Sequence, residues 1–236
     1  MKKQFAIIGL DSFGLWVLEE LLAVDAEVLI VDKDEQVVSQ YRNQVAAAYV
    51  ADVIKEETIR KIVPPDIDAA IIDLGDRTEV SILVANYLKK MGVTRIVAKA
   101  ETDEHGEILR LVGVTDVVFP NREAAKRIMP PLLSESMFSY MPISEHLVMA
   151  EVKLPVEYAG KTVVDADIRN ELELNVIAVK PGGHGDFVFI TPEYRFEEED
   201  RFLVVGSNER VGIVSEEAED ASRTGRLFRH FFRRGE

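Results

Sequence analysis

The sequence predicts an α/β protein whose doubly wound parallel sheet is followed by a smaller α+β domain. Two observations carry this prediction. Over the first 120 residues, short apolar runs alternate with amphipathic helical stretches, which is typical of strands covered by helices on both faces. Near Ser144 the spacing changes to short alternating strands joined by turns. The chain of 236 residues is long enough for both units.

The first domain, residues 1–120, is predicted to contain six strands and the helices that connect them. The strands are expected at residues 5–9, 27–31, 47–50, 69–74, 95–98 and 117–119. The helices are expected at residues 13–24, 34–42, 57–63, 78–91 and 105–112. This order is that of a Rossmann-type nucleotide-binding fold, in which ligands bind at the carboxyl ends of the strands.

Residues 121–143 are interpreted as a crossover segment. Helical character resumes at Asn121, and we expect the Pro130–Pro131 pair to interrupt it. The apolar residues that follow, including Met137 and Phe138, are expected to dock on another subunit.

The second domain is predicted over residues 144–215. Its strands are expected at residues 146–154, 175–180, 186–190 and 201–205, with a turn and short helix at 160–169. Residues 216–236 are acidic and then basic, and we expect them to form a flexible tail.

Composition excludes several classes of protein. Hydrophobic residues make up 47% of the chain, which is enough for a core, and the absence of cysteine excludes disulfides and thiol catalysis. The formal net charge of −14 argues against nucleic-acid binding. No apolar run approaches the roughly 20 residues of a membrane helix, and no secretory signal is visible. We therefore expect a cytoplasmic protein.

The turn after the first strand is the strongest candidate for a ligand site. A dinucleotide fold usually has G-x-G-x-x-G here, and the sequence retains Gly9 and Gly14 but has Asp11 at the middle position. Ser12 and Phe13 complete the turn. The alternative is a purely structural turn in which Asp11 or Ser12 caps the next helix.

Further candidates follow the later strands. Asp32, with Lys33 beside it, ends the second strand and is placed to bind a ribose diol. Asp52 lies where an adenine edge would fall, or else it caps the helix that begins near Glu56. Lys99 ends the fifth strand and either attracts phosphate or is simply solvated.

The sequence offers no catalytic constellation. The four histidines are scattered and lack metal-ligand spacing, and there is neither a nucleophile elbow nor a P-loop. We therefore expect a protein that is not an enzyme and holds no metal.

Several segments resemble the RCK (KTN) domain of the regulatory subunits of Ktr/Trk-type potassium uptake systems. The resemblance covers about residues 4–206 and is carried by QFAIIGL at 4–10, VLIVD at 28–32, VAKA at 97–100 and ILRLVGVTDVVFP at 108–120. In the second domain it rests on GKT at 160–162, DIR at 167–169 and NVIAV at 175–179.

The resemblance implies a function and two ligand sites. It implies a cytoplasmic gating subunit, peripheral to the membrane, that forms dimers and an octameric ring beneath a potassium transporter. The first site would take an adenine nucleotide or NAD(H), although Asp11 and Ser12 replace the usual glycine and arginine, and Asn121 replaces a glutamate. The second site would bind cyclic di-AMP between two C-terminal lobes. The residues that would line it are Ile168, Arg169, Asn175, Val176 and Pro192.

Other interpretations remain open. A Rossmann-type NAD-dependent oxidoreductase would need a catalytic acid or base, which the sequence does not reveal. A standalone nucleotide sensor would need no membrane partner. At the second site, Arg169 either binds a ligand phosphate or forms a surface ion pair with Glu171 or Glu173.

Overall fold

The computed structural model describes residues 2–218, which form two compact units that divide between Pro120 and Asn121. The first contains a parallel sheet of six strands in the order β3-β2-β1-β4-β5-β6. The strands are β1 (Gln4–Ile8), β2 (Glu27–Asp32), β3 (Ala47–Val50), β4 (Ala69–Ile72), β5 (Ile96–Lys99) and β6 (Asp116–Val118). This is the doubly wound topology that the sequence predicts.

Five helices cover the two faces of this sheet. They are α1 (Ser12–Ala23), α2 (Glu35–Tyr41), α3 (Glu56–Ile62), α4 (Thr78–Met91) and α5 (Asp103–Leu111). Successive residues of β1 point to opposite faces, as the pleat of a strand requires. Ile7 packs with Leu18 of α1 in one core cluster, whereas Ile8 packs with Val84 of α4 in the other.

The second unit contains an antiparallel sheet of five strands in the order β10-β9-β11-β8-β7. Its strands are β7 (Met137–Pro142), β8 (Leu147–Val152), β9 (Asn175–Lys180), β10 (Val188–Phe189) and β11 (Arg201–Ser207). Its helices are α6 (Pro120–Leu133), α7 (Val163–Ala166), α8 (Ile168–Glu171) and α9 (Asn208–Ala218), with 3-10 turns at Val156–Tyr158 and Pro181–Gly183. Helices α7, α8 and α9 contribute side chains to its single large core cluster.

The structure corrects two expectations about the crossover segment. Helix α6 continues through Pro130 and Pro131, which lie in its last turn, and it ends two residues later at Leu133. Met137 and Phe138 begin strand β7, and the side chain of Met137 is buried in the core of the second unit, so it cannot dock on another subunit. The half-buried Phe138 lies against the guanidinium of Arg201.

The C-terminal tail was predicted to begin at Glu216, but α9 extends to Ala218. Three residues that we expected to be flexible are therefore helical. The rest of the predicted tail, residues 219–236, lies outside the described residues.

Candidate functional site

The carboxyl ends of four parallel strands bring the predicted residues of the first domain to one edge of the sheet. The turn from Gly9 follows β1, Asp32 ends β2, Asp73 follows β4 and Lys99 ends β5. Because β1, β2, β4 and β5 are neighbours in the sheet, these side chains converge on the N-terminus of α1. This edge of the sheet is the candidate ligand site.

Both glycines of the turn are required by the backbone itself. Gly9 has a φ of +89°, and a Cβ there would lie 1.9 Å from the carbonyl oxygen of Asp73. A Cβ on Gly14 would lie 2.6 Å from the carbonyl oxygen of Gly9. Gly9 therefore makes the tight turn, and Gly14 lets α1 pack closely on β1.

The middle of the turn departs from the dinucleotide pattern. Asp11 adopts ordinary extended angles (φ −76°, ψ −177°) at the N-cap position of α1, and its side chain makes no capping hydrogen bond. The alternative that Asp11 caps the helix is therefore wrong. Ser12 is exposed, whereas Phe13 is half-buried and packs against the cluster that contains Leu18.

Asp32 is held in place by two backbone amides. Its Oδ2 accepts a hydrogen bond from the amide of Leu10 at 2.7 Å, and its Oδ1 accepts one from the amide of Asp34 at 2.9 Å. Each carboxylate oxygen can accept a second hydrogen bond, and the side chain is half-buried rather than enclosed. Asp32 can therefore receive the hydroxyls of a sugar, with the exposed Lys33 beside it.

Sequence reasoning missed Asp73. Its side chain is buried, and its Oδ2 accepts a hydrogen bond from the amide of Gly14 at 2.8 Å. Among residues 2–218, Oδ1 has no hydrogen-bond partner, and it lies 3.4 Å from Nζ of Lys99. The signal that could have revealed it is the same one that identified Asp32: an acidic residue directly after a buried apolar strand.

Lys99 is enclosed by carboxylates rather than open to solvent. Its Nζ lies 2.9 Å from Glu101, 3.3 Å from Asp11 and 3.4 Å from Asp73, and its side chain is only 10% exposed. Burial alone would lower the pKa of Lys99. The hydrogen bonds that Lys99 donates to Glu101 and Asp11, and the charges of Asp73 and Glu101, outweigh that effect and raise the pKa above its ordinary value. The alternative of a solvated lysine is therefore wrong.

Asp52 faces a neighbouring loop and does not cap α3, whose N-cap position is Lys55. It accepts a hydrogen bond from Nη2 of Arg77 at 3.2 Å and one from the amide of Ile54 at 3.3 Å. Desolvation works to raise the pKa of Asp52. The hydrogen bonds from Arg77 and Ile54 and the charges of Arg77 and Lys33 lower it. The ion pair ties the loop after β3 to the loop after β4.

A buried histidine supports the loop that carries Glu101. Nδ1 of His105 accepts a hydrogen bond from the amide of Glu101 at 3.4 Å, and Nε2 lies 2.8 Å from Oγ of Ser81. Since the Ser81 hydroxyl donates to the carbonyl of Thr78, the ring proton belongs on Nε2. Desolvation lowers the pKa of His105, although the nearby charges of Glu101 and Glu79 oppose this.

The second predicted site lies where α8 packs against β9. Arg169 is exposed in α8, Asn175 is exposed at the start of β9, and Pro192 is exposed in the following loop. Ile168 is buried in the core, and Val176 is half-buried against it. These positions leave Arg169 and Asn175 as the accessible polar members of the set.

The alternative that Arg169 forms an ion pair with Glu173 is not observed, because Glu173 pairs with Arg210 of α9. Within residues 2–218, Arg169 forms no ion pair with Glu171 either. The described residues also contain no cluster of side chains suited to a metal ion. None of the helices described is long and apolar enough to cross a membrane.

The fold and the convergent edge define a two-domain protein whose first domain is of the Rossmann type. Comparison with known proteins identifies it further. Residues 5–120 match the TrkA-N domain and residues 147–216 match the TrkA-C domain. The chain belongs to the family of Ktr-system potassium uptake proteins that combine these two domains.

Two curated relatives align with this chain over nearly their whole length. Ktr system potassium uptake protein C of Bacillus subtilis is 32% identical over 209 residues, which cover 88% of this chain and 93% of that protein. Ktr system potassium uptake protein A of Vibrio alginolyticus is 29% identical over 211 residues, which cover 89% and 94%.

Among solved structures, the GsuK RCK domain superposes with a TM-score of 0.64 at 18% identity, over 99% of this chain and 54% of that one. The GsuK channel bound to NAD superposes with a TM-score of 0.60 at 17% identity, over 98% and 44%. The chain therefore spans about half the length of these structures, and at this identity they show a shared fold.

Proposed function

We propose that this protein is a cytoplasmic regulatory subunit that binds a membrane potassium transporter and gates it in response to ligands. The observation that carries the proposal is the match along both domains to proteins named for potassium uptake, at 32% identity over 93% of one relative. That match includes the TrkA-C domain and is therefore not confined to the Rossmann-type domain.

Regulation rather than catalysis is supported by the chemistry of the candidate site. The ionisable groups at the sheet edge are used internally: Asp32 binds backbone amides, and Lys99 is neutralised by carboxylates. A hydride-transfer enzyme needs an acid or base that can exchange a proton with a substrate. The protonated Lys99 is poorly suited to that task because the same carboxylates hold its proton.

The proposed ligand of the first domain belongs to the class of adenine nucleotides and NAD(H). Asp32 would accept the hydroxyls of the ribose, and Asp52 and Arg77 would border the base. A ligand that bridges these loops would favour one arrangement of the domain over another. Such a difference in affinity between two states is what couples binding to gating.

The second domain is proposed to bind an anionic ligand, of which cyclic di-AMP is the expected example. Support comes from the exposed guanidinium of Arg169 and the exposed amide of Asn175. Two such lobes related by a twofold axis would present two guanidinium groups to a symmetric ligand with two phosphates. The proposal includes assembly of this chain into dimers and rings.

The proposed function is tested by purification of the tagged chain with a membrane-embedded Ktr-type transport subunit from the same organism. We expect a stable complex in detergent, whereas a tagged dehydrogenase of similar size and charge, used as a control bait, should recover none of the membrane protein. Failure to recover the membrane subunit, together with NADH oxidation by the purified chain, would favour the alternative of an oxidoreductase. Failure without that activity would favour a standalone sensor.

A further inference from the structure

The charge at the N-terminus of α1 is unfavourable for a phosphate. Helix N-termini attract phosphate because free backbone amides point at it. Here the amide of Gly14 already donates to Asp73 at 2.8 Å, and the amide of Leu10 donates to Asp32 at 2.7 Å. Protein carboxylates thus occupy amides that border the position in which a Rossmann fold holds a pyrophosphate.

The cation at this edge, Lys99, is already paired with protein carboxylates. Lys99 faces the three carboxylates of Asp11, Asp73 and Glu101 within 3.4 Å, so that the group of four side chains carries a formal charge of −2. A phosphate that approached the ammonium past the turn would have to displace Asp11, the most exposed of the three carboxylates at 52%. The Asp11 carboxylate would then remain close to the incoming anion.

Asp11 is well placed to act as a substitute for a ligand phosphate. It stands at the middle position of the turn, where the second glycine of a dinucleotide fold lets the backbone approach the pyrophosphate. Its Oδ2 lies 3.3 Å from Lys99 and close to Gly75, in the loop after β4. The side chain therefore supplies both the bulk and the negative charge that a phosphate would bring.

We infer that the first domain accepts a ribonucleoside without phosphate, because Asp11 occupies the phosphate position as an internal anion. The inference rests on the proposed function in one respect, that this edge binds a ligand that contains an adenosine group. The ribose contact remains available, since each Asp32 oxygen accepts only one of its two possible hydrogen bonds from the described backbone. Affinity should therefore fall as phosphates are added.

Titration calorimetry of the full chain with adenosine, AMP, ADP, ATP and NAD tests this inference. We expect adenosine to bind more tightly than ADP, ATP or NAD, with a loss of about tenfold in affinity for each charge added near the turn. Tighter binding of ADP, ATP or NAD than of adenosine would overturn the inference. The inference would also be overturned if none of the five ligands bound.

Replacement of Asp11 tests whether its negative charge is what lowers the affinity for ligands that carry phosphate. Asp11→Asn keeps the size of the side chain, and Asp11→Gly restores the glycine of the dinucleotide pattern, so that the pair remains informative if one variant folds poorly. Both should raise affinity for ADP about tenfold or more and leave adenosine within about threefold. Asp76→Asn, which removes an exposed charge from the loop after β4, should leave the ratio of ADP to adenosine affinity within about threefold. An unchanged ratio in both Asp11 variants would contradict the inference.

These outcomes are separate from those of the proposed function. Recovery of a complex with the membrane subunit depends on surfaces for assembly and does not require any ligand at Asp11. A chain that bound the transporter but preferred ATP would retain the proposed function and lose this inference.

Discussion

The amide of Gly14 donates a hydrogen bond of 2.8 Å to the buried carboxylate of Asp73, and this contact fixes the first turn of α1 to the end of β4. The same carboxylate lies 3.4 Å from Lys99 at the end of β5. One buried side chain therefore holds together the turn, the helix and the cation of the candidate site.

Removal of Asp73 should destabilise the first domain. Asp73→Ala leaves a buried amide without an acceptor, and we expect a loss of about 2–3 kcal/mol in the free energy of unfolding. Asp73→Asn retains an acceptor for Gly14 and should cost about 1 kcal/mol or less. Urea unfolding monitored by circular dichroism measures both. The exposed Asp76→Asn is the matched control, and equal stability of all three variants would contradict the role assigned to Asp73.

Much of the fold was predictable because local patterns and tertiary structure agree. Helix α4 and strands β3 and β9 have both of their predicted ends confirmed. For α4 the reason is visible, since Gly92 adopts the left-handed conformation (φ +88°) that ends a helix. Strands in a parallel sheet are apolar throughout, and the sequence shows this plainly.

The errors arise where the same residues suit two environments. The apolar Met137 is compatible with a subunit interface or with a core strand, and only its pairing with β8 decides between them. Asp73 and Lys99 are 26 positions apart in the printed sequence, and their contact depends on the pairing of β4 with β5. Periodicity carries no information about such contacts.

Stability should depend on the protonation of His105. Burial lowers its pKa in the folded state, so between that value and the ordinary pKa of about 6.5 the unfolded chain binds a proton that the folded chain does not. Stability therefore falls as the pH drops below about 6.5. In His105→Gln this part of the dependence should be lost, whereas the exposed His146→Gln should keep it. Parallel pH profiles for the wild type and His105→Gln, from thermal unfolding, would show that His105 is not the group responsible.

Assembly is expected to depend on α6 rather than on β7. The exposed apolar residues Ile128 and Leu132 of this helix are 57% and 72% exposed, more than a surface helix that stays in water normally presents. Leu132→Glu should yield smaller particles in light scattering without loss of secondary structure. Lys126→Glu on the same helix is the control and should keep the wild-type mass.

In contrast, Met137→Glu should unfold the second domain, because its side chain is buried. A folded Leu132→Glu variant of unchanged mass would refute the role of α6.

Arg169 should contribute to binding of cyclic di-AMP by the second domain. Because a charge-assisted hydrogen bond to phosphate is worth about 1.5–3 kcal/mol, Arg169→Ala should weaken binding by about tenfold to a hundredfold. Asn175→Ala should have a smaller effect, since its contact is neutral. Lys153→Ala removes a cation that pairs with Glu199 in the turn before β11, and it should leave the affinity unchanged. Calorimetry on the full chain distinguishes these cases, and equal affinities for Arg169→Ala and Lys153→Ala would remove the basis for this site.

Potassium flux is the most direct measure of the account as a whole. Proteoliposomes that contain the membrane subunit alone are compared with proteoliposomes to which the purified chain has been added at saturating concentration. The account predicts that the chain changes the initial rate of potassium uptake and that a heat-denatured sample does not. Identical rates with and without the native chain, under conditions in which the two proteins form a complex, would contradict the claim that this protein regulates potassium transport.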